Sequence, residues 1–127
     1  MAYENPSTFS PPLGSVSFAT TTTRVIRLPR NRTGRIIDIG FYATVLFTNV
    51  TTGAKIQVGN GVTANFYGET PQLGALAAGA SSNSGNAALT GVNVELPANT
   101  DITLTFLAPT GGAPAGTANP NVVIETY

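Results

Sequence analysis

The chain has 127 residues and a formal net charge of zero; 9% of its residues are charged, and it has no Cys and no His. An ordinary soluble domain is about 25% charged. The composition excludes disulfides, thiolate and imidazole metal sites, and any serine nucleophile that depends on a histidine.

Zero net charge argues against a nucleic-acid partner, whose phosphates are bound chiefly through Lys and Arg. No apolar run approaches the ~18 residues of a membrane span. Met1-Ala2-Tyr3-Glu4-Asn5-Pro6 shows neither the basic nor the apolar segment of a signal peptide. At 13.0 kDa the length fits one domain with its own core. No cofactor and no metal site is expected.

In chain order, residues 1–14 hold three prolines and no periodicity, and read as an extended N-terminal arm with Tyr3 and Phe9 available to dock. Residues 15–127 read as the folded domain. Its strands are expected at Ser15–Ala19 and Arg24–Leu28, then, after the turn Asn31-Arg32-Thr33-Gly34, at Arg35–Thr48. In this last segment Ile37, Ile39, Phe41, Ala43, Val45 and Phe47 share one face, the period-two pattern of a half-buried strand. Gly40 is a natural point for a bend or bulge.

Strands Ala54–Val58 and Val62–Tyr67 flank Gly59-Asn60-Gly61, a hairpin turn sequence. Thr70-Pro71 could start a short helix, with Thr as cap, Pro in the first turn, and Leu73, Leu76 and Ala77 as its stripe. Gly79–Gly85 is small and polar and reads as a loop. Strands follow at Ala88–Leu96 and Asp101–Ala108. Pro109–Pro120, rich in Gly, Pro and Ala, reads as a second loop, and Asn121–Thr126 as the last strand. About eight strands and no strong helix predict an all-β fold: an antiparallel two-sheet sandwich, jelly-roll-like, with an extended arm. The Cys and Trp that mark antibody domains are absent.

Arg24, Arg27, Arg30, Arg32 and Arg35 hold five of the six basic residues within twelve positions. They read either as a solvated hairpin tip or as a contact surface for an acidic partner, since the guanidinium fork suits bidentate carboxylate binding. The six acids, Glu4, Asp38, Glu69, Glu95, Asp101 and Glu125, are scattered. Glycosidases need two carboxylates at roughly 5–9.5 Å. A surface ion pair with Arg35 or Arg32 is the expected role of Asp38.

Gly111-Gly112-Ala113-Pro114-Ala115-Gly116 lacks the Lys of a P-loop. Asn31-Arg32-Thr33 and Asn49-Val50-Thr51 match the glycosylation sequon, which matters only in a secretory pathway. Tyr42 and Tyr67 fall on outward-reading faces, and Tyr127 could also be exposed.

The Pro-rich arm from Asn5 to Pro12, the Thr/Ala/Gly-rich strands, Asp101-Ile102-Thr103-Leu104-Thr105-Phe106 and the closing Asn121-Val122-Val123-Ile124-Glu125-Thr126-Tyr127 carry a family resemblance. From Ser15 to Tyr127 the chain resembles the jelly-roll decoration (cement) proteins on the heads of tailed bacteriophages. The resemblance implies a non-catalytic virion protein on the outer capsid surface, made in the host cytoplasm. It also implies a homotrimer that bridges major capsid proteins. It carries over no fixed functional residues. On the residues themselves, Tyr3, Phe9 and the arginines from Arg24 to Arg35 are the candidate partner contacts. The alternative is a carbohydrate- or receptor-binding module of a head fibre or tail, using the loops Gly79–Asn86 and Pro109–Asn119 with Tyr67.

Overall fold

The computed structural model describes residues 7–48, 53–70, 81–85, 95–111 and 115–127. Across these residues the chain forms nine strands and no helix: β1 (Ser7–Phe9), β2 (Val16–Ser17), β3 (Thr22–Ile26), β4 (Gly34–Thr48), β5 (Lys55–Gly59), β6 (Gly68–Glu69), β7 (Ser81–Gly85), β8 (Ile102–Leu107) and β9 (Ala115–Thr126). One antiparallel sheet, A, has the order β1-β9-β4-β7, with β2 also on β9. The other, B, has the order β3-β8-β5-β6.

β1 and β2 are two pieces of one interrupted edge strand. Phe9 stands opposite Ile124, and Val16 opposite Ala118. Between them, residues 10–15 face residues 119–123 with one residue to spare. Pro11 and Pro12 cannot donate to the ladder, and Gly14 takes φ 69°, so pairing lapses there. Counted as one strand, β1/β2 pairs with β9, β3 with β8, β4 with β7, and β5 with β6. These are the nested pairs of one long antiparallel ribbon, rolled into two sheets: the expected jelly roll.

Part of the expected arm is therefore built into sheet A. The Ser7 and Thr126 hydroxyls lie 3.1 Å apart, and Thr126 Oγ1 donates to the Ser7 carbonyl at 3.2 Å. Phe9 and Leu13 pack against the core. Tyr3 lies outside the described residues.

β4 is longer than a flat strand tolerates, and its pairing with β9 slips between Ile36 and Asp38, between Ala43 and Val45, and between Val45 and Thr48. The slips break the single apolar face expected of this segment. Ile36, Ile39, Phe41, Ala43 and Phe47 are buried, whereas Ile37 is half-buried and Val45 exposed. Gly40 keeps regular register with Asn121, so the irregularities flank it instead of falling on it. Bulges let a long strand bend and coil with its twisted sheet.

Three further expectations are corrected. Residues 62–67 form turns, not a strand, so β5 and β6 are joined by an eight-residue loop, 60–67. Asn60 Oδ1 accepts from the Val62 and Thr63 amides at 2.9 and 2.8 Å, which curls the chain where strand propensity would extend it. Ser81–Gly85, read as loop, is β7 on β4, and Ala115–Pro120, also read as loop, is the first half of β9. Both have weak intrinsic strand preference, and both pair with the long β4, which supplies the ladder. Of the strand expected at Ala88–Leu96, only Glu95 and Leu96 are described; Leu96 bridges to Gly34. The helix expected from Thr70 lies outside the described residues beyond Thr70 itself. Thr70 is buried and its hydroxyl accepts from the Ile56 amide at 3.0 Å.

The core joins the sheets through four phenylalanines. Phe18, just after β2, has its ring centroid 5.1 Å from those of Phe41 and Phe47 in sheet A and 6.1 Å from Phe106 in sheet B. Phe41 and Phe47 stack at 5.5 Å. Each ring is fully buried. Ring pairs of this kind contribute about 0.5–1.5 kcal/mol beyond their area. Gly116, at φ 140°, lies against Phe47, and any Cβ there would overlap the ring.

Two substitutions test this packing by urea denaturation. Phe18→Ala is expected to cost roughly 3–5 kcal/mol. Gly116→Ala is expected to cost about 2–3 kcal/mol through backbone strain and overlap with Phe47; an unchanged midpoint would show that this contact does not constrain the core.

Candidate interaction surface

The arginine cluster does not fold into one patch. β3 ends in sheet B at Ile26, and the chain crosses to sheet A before β4 starts at Gly34. Arg24 and Arg35 therefore belong to different sheets. Arg24 is opposite Leu104, on the core side of strand β3, half-buried, with Nη1 donating to the Thr23 carbonyl at 3.4 Å. Arg27 pairs with Asp101 at 2.5 Å, and Arg35 pairs with Glu125 at 3.3 Å.

Arg35 and Glu125 are direct cross-strand neighbours, which is why Arg35 does not reach Asp38. Asp38 stands opposite Val123, and among the described residues it makes no ion pair, contrary to the sequence expectation. Arg30 and Arg32 sit at the turn between the sheets, which is closed by the Arg32 amide donating to the Pro29 carbonyl at 3.0 Å.

That corner is locked by contacts with no sequence signature beyond two turn asparagines. Asn31 and Asn99 both adopt left-handed backbone, at φ 59° and 55°. Asn tolerates this region because its side chain can bond locally. Here the two bond each other: the Asn31 amide donates to Asn99 Oδ1 at 3.1 Å, and Asn99 Nδ2 donates to Asn31 Oδ1 at 3.0 Å. Gly34 and Leu96 exchange backbone bonds at 3.1 and 2.7 Å. Thr33 and Tyr127 do so at 3.1 and 3.0 Å. The Tyr127 hydroxyl donates to Glu95 at 2.8 Å. The corner thus interleaves its arginines with Glu95, Asp101 and Glu125, so its local charge is largely balanced.

Elsewhere the exposed Thr, Ser and Asn are interrupted by large apolar side chains. Tyr42, Val45 and Leu46 lie open on β4, Val25 on β3, and Val62 and Phe66 in loop 60–67. Tyr42 is exposed as expected. Tyr67 is not: with residues 62–67 in turns, strand alternation does not apply, and its ring is buried edge-on against Phe66 at 5.0 Å.

Loop 60–67 is held by a polar clasp at its base. Glu69 accepts from Asn65 Nδ2 at 3.1 Å, Lys55 Nζ at 3.0 Å and Gln57 Nε2 at 3.4 Å. The Asn65 amide, and after it the Lys55 ammonium, hold the Glu69 carboxyl below its ordinary range against the opposing effect of burial. A carboxyl depressed in the folded state stabilises the fold above its unfolded pKa, and that stability is lost as pH falls through the folded value.

Glu69→Gln is therefore expected to be less stable than the parent at pH 7, with the difference closing as both are acidified through the carboxylate range. Urea midpoints measured along a pH series check this; a pH-independent difference would rule out the ionised clasp. No known family model, curated protein or solved structure matches the chain.

Proposed function

We propose that the chain is a non-catalytic structural protein that decorates and stabilises a tailed-phage capsid, bridging major capsid proteins as a homotrimer on the outer shell. The observation that carries this reading is the division of the surface. Arg27, Arg35, Lys55, Asp101, Glu125 and Glu69 are engaged in pairs within the chain, and Val25, Tyr42, Val45, Leu46, Val62 and Phe66 stand exposed among the Thr, Ser and Asn of the surface. Exposed apolar side chains that gather into contiguous patches mark contact surface for other proteins. The few charges give little repulsion between closely packed neighbours. Symmetry multiplies many weak contacts into firm attachment.

Within this reading, Arg30 stands exposed at the locked corner, where a rigid turn can present its guanidinium fork to carboxylates of the shell. Phe9 serves the chain's own core. The carbohydrate-binding alternative draws no support from its expected stacking platform, because the Tyr67 ring is buried and Ser81–Gly85 is a strand.

The test is co-sedimentation with capsids of the parent phage assembled without this chain. Binding is expected, weakening as salt rises, and the triple substitution Arg30→Ala, Arg32→Ala, Arg35→Ala is expected to weaken it further. Undiminished binding by the triple variant would remove the arginines from the contact, and no binding by the parent chain would overturn the reading.

A further inference from the structure

Asn60-Gly61 is the one Asn-Gly step in the chain. At such a step the glycine amide can attack the asparagine side chain, because no Cβ shields the nitrogen. Both residues are exposed, in the loop between β5 and β6. The Gly61 amide has no acceptor among the described residues. A Cβ built on Gly61 would meet nothing nearer than Thr103 Oγ1, at 3.7 Å. The nucleophile therefore stands open to water.

The electrophile is held back instead. Asn60 Oδ1 accepts from the Val62 amide at 2.9 Å and from the Thr63 amide at 2.8 Å, and the Asn60 amide donates to the Thr63 carbonyl at 3.3 Å. These bonds fix the carboxamide over the turn, aimed past Gly61. For attack, its carbon must present a face to the Gly61 nitrogen, and that breaks the cap. The rest of the loop steadies the turn. The Phe66 amide donates to the Thr63 carbonyl at 3.3 Å, the Gly68 amide to the Asn65 carbonyl at 3.1 Å, and Asn65 Nδ2 to Glu69 at 3.1 Å. The cap is thus free to turn when the loop opens locally.

We infer that Asn60 is a site of spontaneous deamidation, and that loop 60–67 sets its rate. Water or hydroxide takes the Gly61 amide proton, and the nitrogen bonds to Asn60 Cγ. The Cγ–Nδ2 bond breaks, and ammonia leaves with a proton returned by solvent. The cyclic succinimide then takes up one water. Cleavage at Cγ gives an aspartate with normal backbone, and cleavage at the main-chain carbonyl gives an isoaspartate. The net exchange is one water for one ammonia. Either product places a carboxylate within residues 59–68, which carry no charge. The isoaspartate also lengthens the main chain by one carbon, which moves the cap out of register with Val62 and Thr63.

Peptide mass mapping of the purified chain during incubation at mildly alkaline pH tests this. The folded parent is expected to convert at Asn60 at least about tenfold more slowly than the same chain unfolded in urea, since the two bonds to Oδ1 must first be lost. Asn65→Ala cuts the tie to Glu69 at an exposed residue, and is expected to raise the rate toward the unfolded value while circular dichroism stays that of the parent. A folded parent that converts as fast as the unfolded chain would overturn the inference, whether or not the variant folds. So would an Asn60 that stays intact in both folded chains, or a folded Asn65→Ala variant that converts at the parent's rate.

Discussion

Everything in this molecule depends on the contact between its two sheets at Phe18. The chain has no cysteine for a crosslink and few charges for ion-pair networks, so apolar packing must supply the stability. Phe18 enters from the segment after β2 and places one ring against Phe41 and Phe47 of one sheet and Phe106 of the other. Its backbone is tied to β9 by the Phe18 amide donating to the Gly116 carbonyl at 2.8 Å. Gly116 in turn must lack a side chain for Phe47 to lie where it does. The rolled ribbon is thus closed where one edge strand, one glycine and four rings meet.

The surface follows from the same economy of charge. Each ion pair does local work: Arg27–Asp101 joins the ends of β3 and β8 within sheet B, Arg35–Glu125 links β4 to β9, and Lys55–Glu69 fixes the root of loop 60–67. The first is exposed on both sides and contributes about 0–1 kcal/mol at most, so the corner is held chiefly by its hydrogen bonds between turns. What remains outward is Thr, Ser and Asn, interrupted by apolar side chains on stiff supports. Such a surface hydrates adequately alone and gains by being covered.

The sequence made some of this legible for a clear physical reason. Ile102-Thr103-Leu104-Thr105-Phe106 alternates without interruption, and β8 indeed buries Ile102, Leu104 and Phe106. Period two works where both neighbours in the sheet are regular. It failed in β4, where bulges exchange faces and leave Val45 outside. It also failed at Val62–Tyr67, whose strand-forming residues are overruled by the turn that Asn60 nucleates. β7 and the start of β9 were illegible because Ser, Asn, Gly and Ala express no preference, and only the neighbouring β4 makes them strands. Among the candidate contacts, spacing grouped the arginines, but the crossing between sheets separates them. The pairing of Asn31 with Asn99 joins residues far apart in the chain, and no local pattern announces it.

As proposed, this jelly roll acts by covering, and being covered at, the outside of a capsid. Cryo-electron microscopy of purified particles of the parent phage tests it most directly. The account predicts density for this fold on the outer capsid surface, in symmetric clusters across the junctions between capsid subunits. Particles complete and stable with no copy of the chain on the shell would contradict it.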